Sequence, residues 1–240
     1  MATGFVLPRP LKRGAPGSPG RAVRIVVLGQ SGVGKTALTV RFITRRFIGE
    51  YDPTLETIYQ HSATVDGEVV HFEILDTAGQ EEDSMLLEDK IRWGEAFLIA
   101  YSLTDRCSFD EVMRLRFLVN HAHGAASRGA SDPPPAFLVA TKRDLECERM
   151  VAREAGAALA TALQCPFAEV SARESFEEVV SVFETLQREL LKQAAGGSGS
   201  SSGSGHSRRK ASSRLMGKMS RFPAAPSPTN TARTFGFNSS

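Results

Sequence analysis

Two rhythms of apolar residues alternate along this chain. Short unbroken apolar runs read as buried strands: Ile25 to Leu28, Ala96 to Ser102, Ala136 to Thr141, and a brief one at Phe167 to Val170. Ile58 to Val65 and Val69 to Leu75 read as two further strands. Asp66-Gly67 between them is a short-turn signal, which predicts a hairpin. Between the strands the spacing changes to that of amphipathic helices, over Ala37 to Phe42, Ser108 to His121, Val151 to Leu163 and Ser175 to Lys192. Ser108 and Glu111 predict a capping box for the second of these. Strands alternating with helices of this length predict an α/β fold. The expected sheet is six-stranded and mostly parallel, with helices on both faces and one antiparallel edge strand from the hairpin. Sheets of this kind bind ligands at the carboxyl ends of their strands.

The ends of the chain break the pattern. Residues 1–22 are rich in Pro, Gly and basic residues and predict a disordered extension. Residues 23–192 hold the alternating pattern, interrupted by a long polar loop at 124–135. Residues 193–240 predict a flexible Gly/Ser linker followed by a disordered basic tail. Charge follows the same division. The net +2 of the 240 residues conceals four Lys/Arg and no acid in 1–22, and seven Lys/Arg and no acid in 193–240. The body at 23–192 carries 18 Lys/Arg against 27 Asp/Glu, a net −9. Basic ends suggest acidic surfaces as partners. In the tail, Arg208 to Phe222 mixes basic residues with Leu215, Met216, Met219 and Phe222. Weak contact with acidic lipid is one reading, at about 1 kcal/mol per basic charge on a strongly anionic surface. A solvated tail that binds nothing stable is the other. No specific nucleic-acid partner is expected.

Several classes are disfavoured. No apolar run approaches membrane-spanning length, and the first residues carry no signal-peptide pattern and no Gly at position 2. Cys107, Cys147 and Cys165 lie far apart and read as reduced thiols of a cytoplasmic protein. His121 and His123 form the one close histidine pair and read as solvated surface rather than a metal site.

The strongest chemical signal is Gly29-Gln30-Ser31-Gly32-Val33-Gly34-Lys35-Thr36, which fits G-x-x-x-x-G-K-[ST] and is followed by Ala37. It lies between the strand ending at Leu28 and a helical stretch, the context that makes the pattern a phosphate-binding loop. Glycines let successive backbone N–H groups face one phosphate, and the helix adds its positive end. Lys35 is expected to reach the outer phosphates, and Thr36 to offer its hydroxyl to Mg²⁺.

Three more motifs follow strands. Asp76-Thr77-Ala78-Gly79-Gln80-Glu81 comes after Leu75, Thr141-Lys142-Arg143-Asp144 after Ala140, and Ser171-Ala172-Arg173 after the last strand. Together with the first loop they resemble the Ras superfamily of small GTPases, over about residues 23–192. Tyr51-Asp52-Pro53-Thr54-Leu55-Glu56 is similar to the Ras effector region. Arg41 to Ile48 and Arg92-Trp93-Gly94-Glu95 look like the Ras-related growth inhibitors and other atypical Ras-like proteins.

The resemblance implies the P-loop NTPase fold of a G domain, binding GTP and GDP with Mg²⁺. It makes Thr36 and Thr54 hydroxyl ligands of the metal, with Asp76 supporting it through water. Gly79 would give its N–H to the γ-phosphate, and Gln80 would orient the attacking water, with Lys35 and Thr54 assisting catalysis. Phe47 would pack on the guanine, and Lys142 would lay its stem over the ring. Asp144 would accept from guanine N1–H and the exocyclic amine, a donor pair that adenine lacks. The backbone of Ala172, flanked by Ser171 and Arg173, would contact the guanine oxygen. Effectors would read residues 50–57 and 79–88, with a GAP and an exchange factor acting on the cycle.

Departures from the pattern matter too. Thr141 stands where Asn is usual, as in the Rho branch, and Arg173 replaces a common Lys. Ser31 stands where Ras proper has Gly and many Rab proteins have Ser. In a Ras-type site a side chain there would crowd Gln80 and an incoming arginine finger; in a Rab-type site it is tolerated. No cysteine follows Cys165, so no prenyl anchor is expected at this end. Two functional readings stand: a slow GTP-hydrolysing signalling switch, and a scaffold that holds GTP with little hydrolysis. The base-reading motif disfavours a P-loop kinase or ATPase.

Overall fold

A computed structural model describes residues 22–49, 56–77, 84–124 and 133–196. Six strands form one sheet: β1 (Ala22–Leu28), β2 (Thr57–Val65), β3 (Glu68–Asp76), β4 (Ala96–Ser102), β5 (Ala136–Thr141) and β6 (Phe167–Glu169), in the order β2-β3-β1-β4-β5-β6. All neighbours run parallel except β2 and β3, so the hairpin supplies the single antiparallel pair at one edge. Its turn has Asp66 at φ 51° and Gly67 at φ 86°. Two consecutive positive φ angles match the right-handed twist of the flanking strands, which is why Asp-Gly serves there.

Among the described residues six helices cover the sheet: α1 (Lys35–Thr44), α2 (Ser84–Trp93), α3 (Arg106–Asp110), α4 (Val112–Gly124), α5 (Arg153–Ala162) and α6 (Phe176–Gly196). The strands alternate between two cores. Ile25, Val27, Leu98, Ala100 and Val139 face α1 and α6, whereas Val26, Leu28, Phe97, Ile99 and Tyr101 face α2 through α5. Burial on both faces explains the unbroken apolar runs: every residue of β4 and of β5 is buried. On the first face Phe42 of α1 stacks on Phe183 of α6, with ring centroids 4.1 Å apart. Burying a side chain of this size contributes about 1.5–3 kcal/mol.

Three local expectations are corrected. The predicted Ser108–Glu111 capping box does not form. Asp105 caps the helix instead, accepting from the Cys107 and Ser108 amides at 2.9 and 3.3 Å. The Ser108 hydroxyl turns inward, donating to the Asp105 carbonyl and accepting from the Ser102 amide at the end of β4. The helix then divides at Glu111 before α4 resumes. Second, α2 was not among the predicted helices; its buried stripe is short, with Leu87 and Ile91 four apart. Third, His123 is not solvated surface: its Nε2 contacts the Ile91 carbonyl at 2.9 Å, and its ring packs edge-on to Phe97. At the far end, α6 continues past Lys192 to Gly196. No helix among the described residues is long and apolar enough to cross a membrane.

Candidate functional site

The carboxyl ends of the parallel strands share one rim of the sheet, and the loops there enclose a cleft of about 450 Å³. One end is built from the loop between β1 and α1. Gly29 has φ 147°, and a Cβ there would lie 2.3 Å from the Ala100 carbonyl oxygen, so only glycine fits. Gly34, at φ 99°, caps α1 without any side-chain hydrogen bond. The first-turn amides of α1 therefore have no side-chain partner from their cap, and they carry the helix's positive end. Ser31, Gly32, Gly34, Lys35, Thr36 and Ala37 all line this end. Gly29, Gln30 and Val33 belong to the same loop but do not line the cleft, and the Val33 side chain is buried in the core.

Lys35 is buried and donates to the Gly29 and Gln30 carbonyls at 2.9 and 2.8 Å. Burial pushes its ammonium down to about 8, opposed by the charges of Asp76 and Glu56. Asp76 ends β3 and is 1% exposed. Burial pushes its carboxyl up to about 6, against the Thr36 hydroxyl that donates to it and the nearby Lys35 charge. Its Oδ1 finds no hydrogen-bond partner among the described residues. A buried carboxylate oxygen left in this state is costly unless a cation or its water meets it. The Thr36 hydroxyl, which donates to the same carboxyl, completes with it a set of oxygens suited to a hard, oxygen-seeking cation such as Mg²⁺. Thr77 lines the cleft too, its hydroxyl tied to the Val27 carbonyl at 2.7 Å.

The other end gathers residues distant in sequence. Lys142 takes φ 60° and turns the chain into a 3₁₀ turn, Arg143–Glu148. Lys142, Asp144, Ala172 and Arg173 line the cleft, as does Phe47. Ser171, fully buried, donates its hydroxyl to Asp144 Oδ1 at 2.8 Å. Thr141 joins the two ends. Its single hydroxyl proton is shared between the carbonyl oxygens of Val33 in the loop and Tyr101 in β4. An Asn amide would have two donors for the same two acceptors.

Thr54, Ala78, Gly79 and Gln80 lie outside the described residues, as do most of the effector segments at 50–57 and 79–88. Where those segments are described, Lys90 of α2 pairs with Glu56 at 2.5 Å. Sequence reasoning missed Ile48, Gly49 and Leu145, which also line the cleft. Ile48 and Leu145 sit next to predicted site residues and Gly49 two positions from Phe47, but none carries a polar side chain that would mark it.

The strand order, the Gly-rich loop at the end of β1 and the cleft along the rim define the fold of a P-loop GTPase of the Ras type. A profile described as "Ras: Ras family" matches residues 24–192. The chain belongs to the Ras family. It is 45% identical over 171 residues to the Ras-related and estrogen-regulated growth inhibitor of Homo sapiens, covering 71% of this chain and 82% of that protein. It is 39% identical over 179 residues to GTP-binding protein Rit1 of Mus musculus, covering 75% and 78% of the two chains. To Ras-like protein family member 11B of Danio rerio it is 40% identical over 178 residues, covering 72% and 70%.

Proposed function

We propose that residues 23–192 bind GTP and GDP and hydrolyse GTP slowly as a signalling switch, with 1–22 and 193–240 as basic extensions. The observation that carries this reading is one cleft holding Lys35 and Thr36 at one end and Lys142, Asp144 and Ala172 at the other. The residue types suit a ligand with a phosphate chain and a purine, and the volume of about 450 Å³ has room for one. In this reading Lys35 exchanges its two carbonyl partners for phosphate oxygens, while the α1 amides hold the phosphate next to them. The stem of Lys142 covers one face of the base. Asp144, aligned by Ser171, accepts two hydrogen bonds from guanine and leaves an unpaired buried carboxylate against adenine.

Thr36, Thr54 and Asp76 would hold Mg²⁺. The ion held there would supply charge neutralisation to the phosphates. Gln80 orients the attacking water, a role of position and electrostatics. The expected turnover, on the order of 10⁻⁴–10⁻³ s⁻¹, is the range of Ras itself rather than a quantity derived from this site. Effectors read 50–57 and 79–88, and a GAP and an exchange factor set the cycle. The working location is the cytoplasm, with weak contact between the basic tail and acidic lipid.

Ser31 supports the second reading, a GTP-holding scaffold. It lines the cleft at the phosphate-loop end. In a Ras-type site a side chain there would limit room for Gln80 and a partner's arginine, whereas a Rab-type site tolerates it. Nucleotide released from the purified full chain by denaturation, followed by single-turnover phosphate release, tests both. Bound GDP, slow phosphate release and a further decrease in Gln80→Leu support the switch. Bound GTP with no phosphate release supports the scaffold. No bound guanine nucleotide, and no uptake of any, overturns both.

A further inference from the structure

Behind the Asp144 end of the cleft lies a second group of charges. Arg149 directly follows the 3₁₀ turn, and all five N–H donors of its guanidinium are engaged. Nε and Nη2 meet the two Glu146 oxygens at 2.8 and 2.6 Å. Nη1 and Nη2 meet the two Glu169 oxygens at 2.7 and 2.9 Å. Nη1 also donates to the Val151 carbonyl at 3.0 Å. The two carboxylates differ in weight. The Glu146 side chain is 63% exposed, so its pairing contributes little. The Glu169 side chain is 4% exposed, so removing its partner leaves a buried charge alone.

The position of this fork relates it to the cleft. Glu169 ends β6, just ahead of Ser171 and Ala172, while Glu146 lies in the same 3₁₀ turn as Asp144. The two loops that flank the proposed base are thus joined by side chains on two sides, with one backbone bond between them from the Arg143 amide to the Val170 carbonyl at 3.2 Å. On the cleft side Ser171 holds Asp144, and behind it Arg149 holds Glu169. The chain after Arg149 is itself pinned, the Met150 and Val151 amides donating to the Leu103 carbonyl at 2.8 and 3.1 Å. None of Arg149's hydrogen bonds reaches the loop at 29–36.

We propose that Arg149, acting through Glu169, is a positioning residue that sets how sharply the cleft separates guanine from a purine lacking the 2-amino group. The inference rests on the guanine-nucleotide reading above. A carboxylate that must meet two N–H groups at once tolerates little displacement, on the order of 0.5 Å. If the Ser171 loop drifts relative to the 3₁₀ turn, Asp144 turns with it and loses one of its two bonds to the base. The phosphate contacts are untouched. Arg149 therefore affects discrimination and retention of the base rather than binding in general.

Stopped-flow release of ribose-labelled GDP and IDP from the full chain tests this, in wild type, Arg149→Ala, Arg149→Lys and Glu169→Gln. Wild type is expected to release IDP about tenfold faster than GDP, because IDP lacks one donor to Asp144. Arg149→Ala should speed GDP release about tenfold and IDP release less than about threefold, collapsing the ratio. Lys cannot reproduce the planar fork, so Arg149→Lys should leave the ratio collapsed. Glu169→Gln keeps the size of the side chain and should fall between; it carries the test where the alanine variant does not fold. Equal acceleration of both nucleotides, unchanged rates, or full restoration by lysine overturns the proposal, as does a wild type that does not distinguish the two. A wild type that binds neither nucleotide overturns the guanine reading itself, and is seen before any variant is made.

Discussion

At the loop end of the cleft, two buried charges lean on what lies nearest. Lys35 spends its donors on backbone carbonyls of its own loop, and Asp76 keeps one oxygen without a partner. At the Asp144 end the charged groups are held by partners from other elements, Asp144 by Ser171 and Arg149 by Glu169. The difference follows from how the ends are made. Glycines and helix amides form the first, so its geometry is set by backbone and its charges wait for a ligand. Side chains form the second, so its geometry persists without one. Buried polar groups left unsatisfied destabilise a fold, and they concentrate where a ligand completes them.

The largest expected effect comes from breaking the loop end. Lys35→Ala should weaken GDP and GTP alike, by about 100-fold or more, since one charged donor serves two oxygens. Isothermal titration of nucleotide-free protein measures it. A change under about threefold would show that Lys35 faces no phosphate.

Breaking the other end should act on the base instead. Asp144→Asn replaces an acceptor with a donor and should lower GDP affinity about 10- to 100-fold while favouring xanthine nucleotides. Competition against XDP reads the exchange. Unchanged GDP affinity would remove Asp144 from the site.

A third prediction concerns stability. The folded state holds the Asp76 carboxyl at about 6 against an ordinary value of 3.8. The folded protein thus keeps a proton that the unfolded chain has lost. The resulting penalty is absent below pH 3.8, grows as pH rises, and is complete above about 6. Asp76→Asn removes it. Nucleotide-free Asp76→Asn should therefore be more stable than wild type by about 1–3 kcal/mol at pH 7.5, with the gain vanishing near pH 4. Urea unfolding in excess chelator at the two pH values checks this. The same variant should lose the Mg²⁺ dependence of nucleotide retention. A variant less stable than wild type at pH 7.5 would mean that the Asp76 contacts with Thr36 and Lys35 outweigh the cost of its burial.

The smallest effect is expected at Ser31. Ser31→Gly should leave intrinsic single-turnover hydrolysis within about twofold, since Ser31 donates no group the proposed chemistry uses. A tenfold fall would make the serine part of the chemistry, and a tenfold rise would show that its side chain crowds Gln80.

The contrast between the two ends also explains what could be read from the sequence. The sheet was legible because strands buried on both faces are written as unbroken apolar runs, as in β4 and β5. The loop end was legible because a phosphate cradle needs glycines at fixed spacing, and Gly29 and Gly34 do adopt positive φ. Helix starts were harder. Asp105 and Ser108 are both good caps, and nothing local shows that Ser108 would be drawn inward by the Ser102 amide. The network behind Asp144 was not legible at all. Arg149 and Glu169 are 20 residues apart, and each alone reads as a surface charge; only folding puts them in one fork.

The most direct test of the account is the affinity of the nucleotide-free full chain for GDP compared with ADP, which share a phosphate chain and differ in the base. The loop end alone would hold both equally. With the Asp144 end built as described, GDP should bind about 10⁴-fold more tightly than ADP, because adenine leaves the Asp144 carboxylate unpaired. Equal affinity for GDP and ADP would contradict the account: the cleft would then be a phosphate site with no reader for the base.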